Sequence, residues 1–445
     1  MAESASKKFK QVFTKKYLKD IYQNNIRFNS ATGVDRVNKN LFDKNLDNNI
    51  DIIYRKVHQG TYHFSQYKEK LISRGANKCP RVISIPTIRD KLTQCALSEI
   101  LFDVYGKSIP FLHKVIGDAI KSFNSRKNNH YIRLDVKSFY PSVKHESLLD
   151  QISKKIRKSE VLKLIRDSII QDTVAKPSGQ KQWQSVGVPQ GLSISNVLAS
   201  IYMIPIDLKH GSQEDYKYFR YVDDIIVFCN EDKVKHLKKE INDDCDKLGL
   251  SLHKEGEDKS KAKVGNISEE FSYLGYKFSP SNISVRKPTI DKLRESIIRI
   301  LTIYKHSREK NVSRLYWTLN LRITGCIFDE TKYGWIFYFS QITDMSLLKQ
   351  LDIFLEKQLD RFGISSYQGK IKKFVRTYYE ITKNLTRSNY IPKFDRYSIS
   401  QKRQVLRDTF GITKGRMTEQ EIEMEFRRRI FKQVKELEQD LARVS

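Results

Sequence analysis

The chain has 445 residues, 81 Lys plus Arg against 52 Asp plus Glu, a formal net charge of +29, and 39 % hydrophobic residues, enough apolar material for a large core or several subdomains. That positive excess points to a polyanionic partner, nucleic acid first and an acidic membrane second, while the lack of any run of about 18 apolar residues and of an apolar leader in "MAESASKKFKQVFTKKYLKD" argues against a membrane role. Cys79, Cys95, Cys229, Cys245 and Cys326 are scattered without a CxxC pair, so neither a zinc knuckle nor a disulfide framework is expected, and a reducing cytoplasm fits best.

Residues 1–115 are mixed and basic, with "SATGVDRV" around Gly33 as one distinctive segment. "RVISIPTIRDKLTQCALSEIL" predicts a short strand over Val82–Ile85, broken by Pro86. A helix then follows, with Leu92, Leu97 and Ile100 on its apolar face. From about 131 the pattern becomes α/β: "YIRLDVKSFY" predicts a strand ending near Asp135. "GVPQGLSISNVLASIYM" opens as a loop and becomes a helix, with Ser193 as its cap and Ile194, Val197, Leu198 and Ile201 on one face. "YFRYVDDIIVF" predicts two strands around a Val-Asp-Asp turn, and "FSYLGYKF" a further short strand segment with a central Gly275. Helices dominate from "KPTIDKLRESIIRIL" onward. The last one opens on a Thr418/Glu421 capping box and carries a packing stripe of Ile422, Phe426, Ile430, Leu437 and Leu441. The Arg427–Arg429 run reads as a solvated face.

The adjacent acids of "FRYVDDIIVF" raise a physical question. Two like charges in an apolar strand are costly, so something positive is expected beside them. A hairpin turn could present Asp223 and Asp224 toward one solvent-facing cleft, and Asp135 also ends an apolar strand. Three carboxylates at strand ends can hold two hard divalent cations, for which Mg²⁺ is suited, and two such ions can serve phosphoryl transfer.

The ordered series "RVISIPTIRDK", "RLDVKSFY", "GVPQGLSISN", "YVDD", "LGLSLHKEGEDKS" and "FSYLGY" resembles the motif series of reverse transcriptases, covering about residues 30–280. "YGWIFYFSQITDMSLLKQLDIFLEKQL" resembles the thumb segment of group II intron and related bacterial enzymes. "GLSISNVLASIYM", with Asn196 where proline is common, resembles the defence-associated bacterial reverse transcriptases of the unknown groups.

The resemblance implies a mixed α/β (α+β) right-hand polymerase. Its parts would be fingers (1–115), palm with an inserted fingers segment (116–280), helical thumb (281–365) and a basic helical extension (366–445). It also implies roles. Asp135, Asp223 and Asp224 would be catalytic and metal-binding, with Val136 in the metal set and two Mg²⁺ as cofactor. Tyr221 would support the primer end, Gln190 would contact the incoming nucleotide, and Gly191 would let the backbone approach it. Tyr140, or Phe139 if the register slips, would exclude a 2′-hydroxyl. Arg81 and Lys78 would clamp the triphosphate, and Lys259 or Lys254 would lie near the pyrophosphate. The implied activity is RNA-directed DNA synthesis from deoxynucleoside triphosphates. The template would be a companion non-coding RNA, the product cDNA, and the setting anti-phage defence; oligomeric state is left open. The alternatives are a group II intron-type enzyme, an untemplated or protein-primed DNA polymerase, and an inactive RNA-binding scaffold.

Overall fold

In the computed structural model, residues 5–28, 31–73, 79–177, 183–257, 261–364, 369–413, 415 and 417–441 are described. They fall into two compact units, Met1–Asn266 and Ile267–Ser445. The first unit contains strands β1 (Tyr67–Ile72), β2 (Arg81–Ile85), β3 (His130–Asp135), β4 (Thr173–Val174), β5 (Lys217–Tyr221), β6 (Asp224–Cys229) and β7 (Lys263–Asn266).

The apolar runs in β3 and β6 make them the central strands of an antiparallel sheet of order β5-β6-β3-β7. β6 is buried at every position, so its sequence is continuously apolar after Asp224 and does not alternate. Helix Leu112–Ser125 packs on β5 and helix Val234–Lys247 on β3. A smaller sheet pairs β1 antiparallel with β2 and parallel with β4.

Pro86 ends β2 as expected, and Thr87 caps helix Ile88–Tyr105 by accepting from the Asp90 N–H at 3.2 Å. Leu92, Leu97 and Ile100 are fully buried on that helix. A Cβ on Gly33 would stand 2.8 Å from the Thr87 backbone, so "SATGVDRV" needs its glycine to pass over this junction. Ser193 is not a cap. Helix Ser195–Tyr202 begins two residues later without a side-chain cap, and Ser195 Oγ instead donates to the Pro189 carbonyl at 2.5 Å.

In the second unit, "FSYLGYKF" is two strands, β8 (Phe271–Tyr273) and β9 (Tyr276–Phe278). Leu274 and Gly275 form the loop with φ of 46° and 81°, the double positive φ of a tight hairpin turn. β10 (Ile283–Val285) completes a meander, and β11 (Cys326–Phe328) pairs with β12 (Thr331–Tyr333). The capping box at Thr418 and Glu421 is present, with reciprocal bonds of 2.8 and 3.3 Å. Helix Glu419–Leu441 buries Ile422, Phe426, Ile430, Val434 and Leu437 against Leu321, Phe328, Phe394 and Leu406. Val434 belongs to the stripe, whereas Leu441 is only half-buried. Arg427 pairs with Asp329, and Arg428 and Arg429 with Glu425, so this run is engaged within its own unit.

Candidate active site

β3 and β6 pair in a register that sets Asp135 opposite Asp224. β5 and β6 close a two-residue loop, Val222–Asp223, with Tyr221 opposite Asp224. Val222 holds a φ of 56°, costly for a β-branched residue, at a loop position where glycine is the usual choice. Arg220 braces the loop. Its buried guanidinium bonds Asp207 at 2.8 Å and the Val222 carbonyl at 2.9 Å.

The expectation that both adjacent acids face solvent is corrected. Asp223 sits in the loop and is half-buried, while Asp224 lies in the strand and is fully buried. The positive partners demanded by the sequence are Arg133 and Lys261. Arg133 Nη2 and Nε lie 2.9 and 3.2 Å from Asp224 Oδ1. Lys261 Nζ lies 3.3 Å from Asp224 Oδ2 and 3.7 Å from Asp135 Oδ1. Burial, joined by repulsion from Asp224, raises the Asp135 carboxyl above its usual range, against the pull of Lys261. Burial likewise raises Asp223, with repulsion from Asp224 and Asp135 adding to it.

A cluster of oxygen donors whose charges are mutually destabilising suits hard divalent cations. Asp135 and Asp223 offer the freer carboxylates for them. Asp224 is already engaged by two side-chain cations, and the ammonium of Lys261 sits where cationic charge is called for. Val136 is buried in an antiparallel bridge with Leu252, so only its carbonyl could serve as a ligand.

Tyr140 faces the same cluster. Its ring is 9 % exposed, and burial followed by the Asp223 charge pushes its hydroxyl up to about 12. Phe139 is core, with ring centroids 5.6 Å from Tyr140. Gln190 and Arg81 meet directly, the Arg81 Nε donating to Gln190 Oε1, and the Gln190 carbonyl accepts from the Ser84 N–H at 2.7 Å. Gly191 has a φ of 104°, and a Cβ there would stand 2.7 Å from Ile83 Cγ2 and 3.0 Å from the Ser84 carbonyl oxygen. The close approach this glycine permits is therefore to β2. Tyr221 is half-buried, and burial raises its hydroxyl.

Lys78 and Lys259 lie outside the described residues. Lys254 is exposed; Lys261, which the sequence reading passed over, is the lysine at the carboxylates. Arg133 and Lys261 were missed because their carboxylate partners are distant in sequence, and Arg220, whose partners Asp207 and Val222 are near, because nothing in the linear pattern marks its side chain as buried. The one available signal was Arg133 itself, a charge inside the apolar run "YIRLD".

Residues 68–278 match the family model described as "Reverse transcriptase (RNA-dependent DNA polymerase)". These residues form a reverse transcriptase domain. The fold class is accordingly that of a right-hand polymerase, mixed α/β with antiparallel sheets.

The chain is 23 % identical over 288 residues to the group II intron-encoded protein LtrA of Lactococcus lactis, covering 59 % of this chain and 44 % of that protein. It is 27 % identical over 186 residues to an uncharacterized 91 kDa protein in the cob intron of Schizosaccharomyces pombe, covering 38 % and 22 %. It thus spans less than half the length of these curated relatives. Among solved structures it is similar to telomerase of Candida albicans in complex with a telomeric RNA fragment, with a TM-score of 0.44, 12 % identity, and coverage of 84 % of this chain and 67 % of that one. It is also similar to apo telomerase of Candida tropicalis, with a TM-score of 0.40, 15 % identity, and coverage of 82 % and 68 %. Among the described residues no helix is long and apolar enough to cross a membrane.

Proposed function

We propose that this chain is an RNA-directed DNA polymerase. It would add deoxynucleotides to a primer 3′-hydroxyl in the cytoplasm, copying a companion non-coding RNA into cDNA as part of anti-phage defence. One observation carries the polymerase reading. Asp135 and Asp224 are register partners in one sheet, Asp223 occupies the adjoining loop, and burial raises Asp135 and Asp223. The narrower role rests on the resemblance of "GLSISNVLASIYM" to the defence-associated enzymes.

Two Mg²⁺ ions, when bound, supply charge stabilisation for the attacking and leaving oxygens. Asp135 and Asp223 would hold them, while Asp224 keeps Arg133 and Lys261 at the base of the site. Arg81 orients triphosphate through its planar guanidinium, and Gln190 positions the nucleotide. The Tyr140 ring rejects a 2′-hydroxyl, and Tyr221 supports the primer end. Lys261 takes the place expected for Lys259 or Lys254 in countering charge that builds on the leaving group. Catalysis is positioning and preorganised charge. The proposed parts are fingers (1–115), palm with an inserted fingers segment (116–280), thumb (281–365) and extension (366–445); the compact units divide after Asn266, within the palm so bounded.

The test is primer extension on an RNA template with Mg²⁺. Wild type should extend with deoxynucleotides and Asp223→Asn should not. Extension by that variant at the wild-type rate, or none by wild type on any template, would overturn the reading. The LtrA similarity favours a second reading, a group II intron-type enzyme, which would stimulate splicing of an intron RNA encoding it.

A further inference from the structure

Asn196 is the second residue of helix Ser195–Tyr202, and its side chain points out of the apolar core. Its Oδ1 accepts a hydrogen bond from the Tyr140 hydroxyl at 2.7 Å. The preceding residue, Ser195, ties the same helix start to the Pro189 carbonyl, next to Gln190. At the other end of Tyr140, its carbonyl accepts from the Val188 N–H at 2.8 Å. The tyrosine is thus held at its backbone by the loop that carries Gln190 and at its hydroxyl by the helix that follows that loop. The neighbouring Ser138, with a φ of 44°, turns the chain sharply into the Phe139–Ser142 segment.

We propose that Asn196 is a positioning residue for sugar selection, holding the far end of the Tyr140 ring so that its face cannot yield to a 2′-hydroxyl. The inference rests on the polymerase reading and deepens it. A ring that excludes one oxygen atom by contact must be fixed to within a few tenths of an ångström. Packing against Phe139 fixes the near edge of the ring. The hydroxyl bond anchors the far end of the ring, which lies on the Cβ–Cγ axis, against swinging about the Cα–Cβ bond away from the sugar. Carboxamide oxygen suits this role because it accepts without adding charge beside Asp223.

The experiment measures kcat/KM for dATP and for ATP with purified full-length protein, and takes their ratio. Asn196→Ala should lower the preference for dATP about five- to tenfold, the scale of one lost hydrogen bond. Tyr140→Phe removes the same bond from the other side without touching the helix, and should lower the ratio to the same extent. The double variant should lower it no further, because one bond cannot be lost twice. Asn196→Asp keeps the acceptor and should retain the wild-type ratio, even if its charge slows both substrates alike. A purely structural role for Asn196 would shift melting temperature and both rates while leaving the ratio untouched. An unchanged ratio in Asn196→Ala and Tyr140→Phe, with selectivity lost in Tyr140→Ala, would overturn the inference and leave the polymerase intact. If Asn196→Ala fails to fold, Tyr140→Phe alone decides. Absence of synthesis by wild type would instead overturn the polymerase reading.

Discussion

The two adjacent acids are not equivalent, and their substitutions should differ. Asp224 neutralises Arg133, a guanidinium only 9 % exposed, inside the sheet. Asp224→Ala takes away its carboxylate partner, and losing one partner of a buried pair should destabilise the protein by about 3 kcal/mol. Asp223 is raised by burial and by its acidic neighbours, so Asp223→Ala should leave urea stability unchanged or slightly higher while ending synthesis. Equal midpoints for the two variants would refute this asymmetry. Removing both acids together is therefore expected to cost stability, against the simplest expectation that two like charges are well lost. Gly191 makes a second residue-scale case. Alanine there meets Ile83 and Ser84 and must hold a φ of 104°, so β2 and Arg81 are pushed from Gln190. Gly191→Ala should lower kcat/KM for deoxynucleotides about tenfold or more, corresponding to the 1–3 kcal/mol typical of such strain. Wild-type kinetics would show that the loop and β2 are not coupled.

At the scale of elements, helix Ile204–His210, the residue before β5 and helix Val234–Lys247 meet at a polar cluster around the buried His210. His210 Nδ1 lies 2.7 Å from the Tyr216 hydroxyl and Nε2 3.0 Å from Asp244 Oδ2, while Lys209 Nζ reaches Glu240 and Asp244 at 2.8 and 2.5 Å. His210, Glu240 and Asp244 have the spacing of a metal site, but Lys209 already supplies the positive charge there. Burial pushes the Asp244 carboxyl up, yet hydrogen bonds from Lys209, Lys247 and His210 outweigh it and hold the group at about 2. A depressed carboxyl stabilises the fold above its unfolded pKa of about 4, and that contribution fades as pH falls from about 4 to 2. Asp244→Asn should therefore cost about 1–2 kcal/mol at pH 7, allowing for screening at the half-exposed Lys209, and progressively less below pH 4. Urea titrations of both proteins across that range check the sign; a penalty that grows toward low pH would contradict it. Strand β6 was legible because the sheet buries it at every position, so its sequence after Asp224 is an unbroken apolar run, and β3 was legible in spite of the buried Arg133 that interrupts it. The β8–β9 hairpin was not, since Leu274 takes a positive φ that its residue type disfavours and that no local pattern announces. The stripe of the last helix was legible, but what it packs against was not, because Leu321, Phe328 and Phe394 come from far along the chain.

For the whole molecule, the net charge of +29 sets both an opportunity and a test. Charge alone draws any nucleic acid, with affinity falling steeply as salt rises. A dedicated template would add folded shape and stacked unpaired bases, which salt does not screen in the same way. Protein purified from its native host at high salt should therefore retain one dominant RNA species on sequencing. A broad sample of cellular RNA would remove the dedicated template and keep the polymerase. The motif order, read from sequence, singled out Asp135, Asp223, Asp224, Tyr140, Gln190 and Arg81 as candidates; what it could not supply were the cations that make the acids tolerable. Arg133, Lys261 and Arg220 act through contacts spanning up to 126 positions along the chain, as between Lys261 and Asp135, and a linear pattern carries no trace of such distance. The register Asp135↔Asp224 has one more consequence. Side chains alternate faces along a strand, so adding or deleting a single residue within 130–135 or 224–229 would turn one acid to the opposite side of the sheet. An insertion-scanning library should therefore show two silent gaps there.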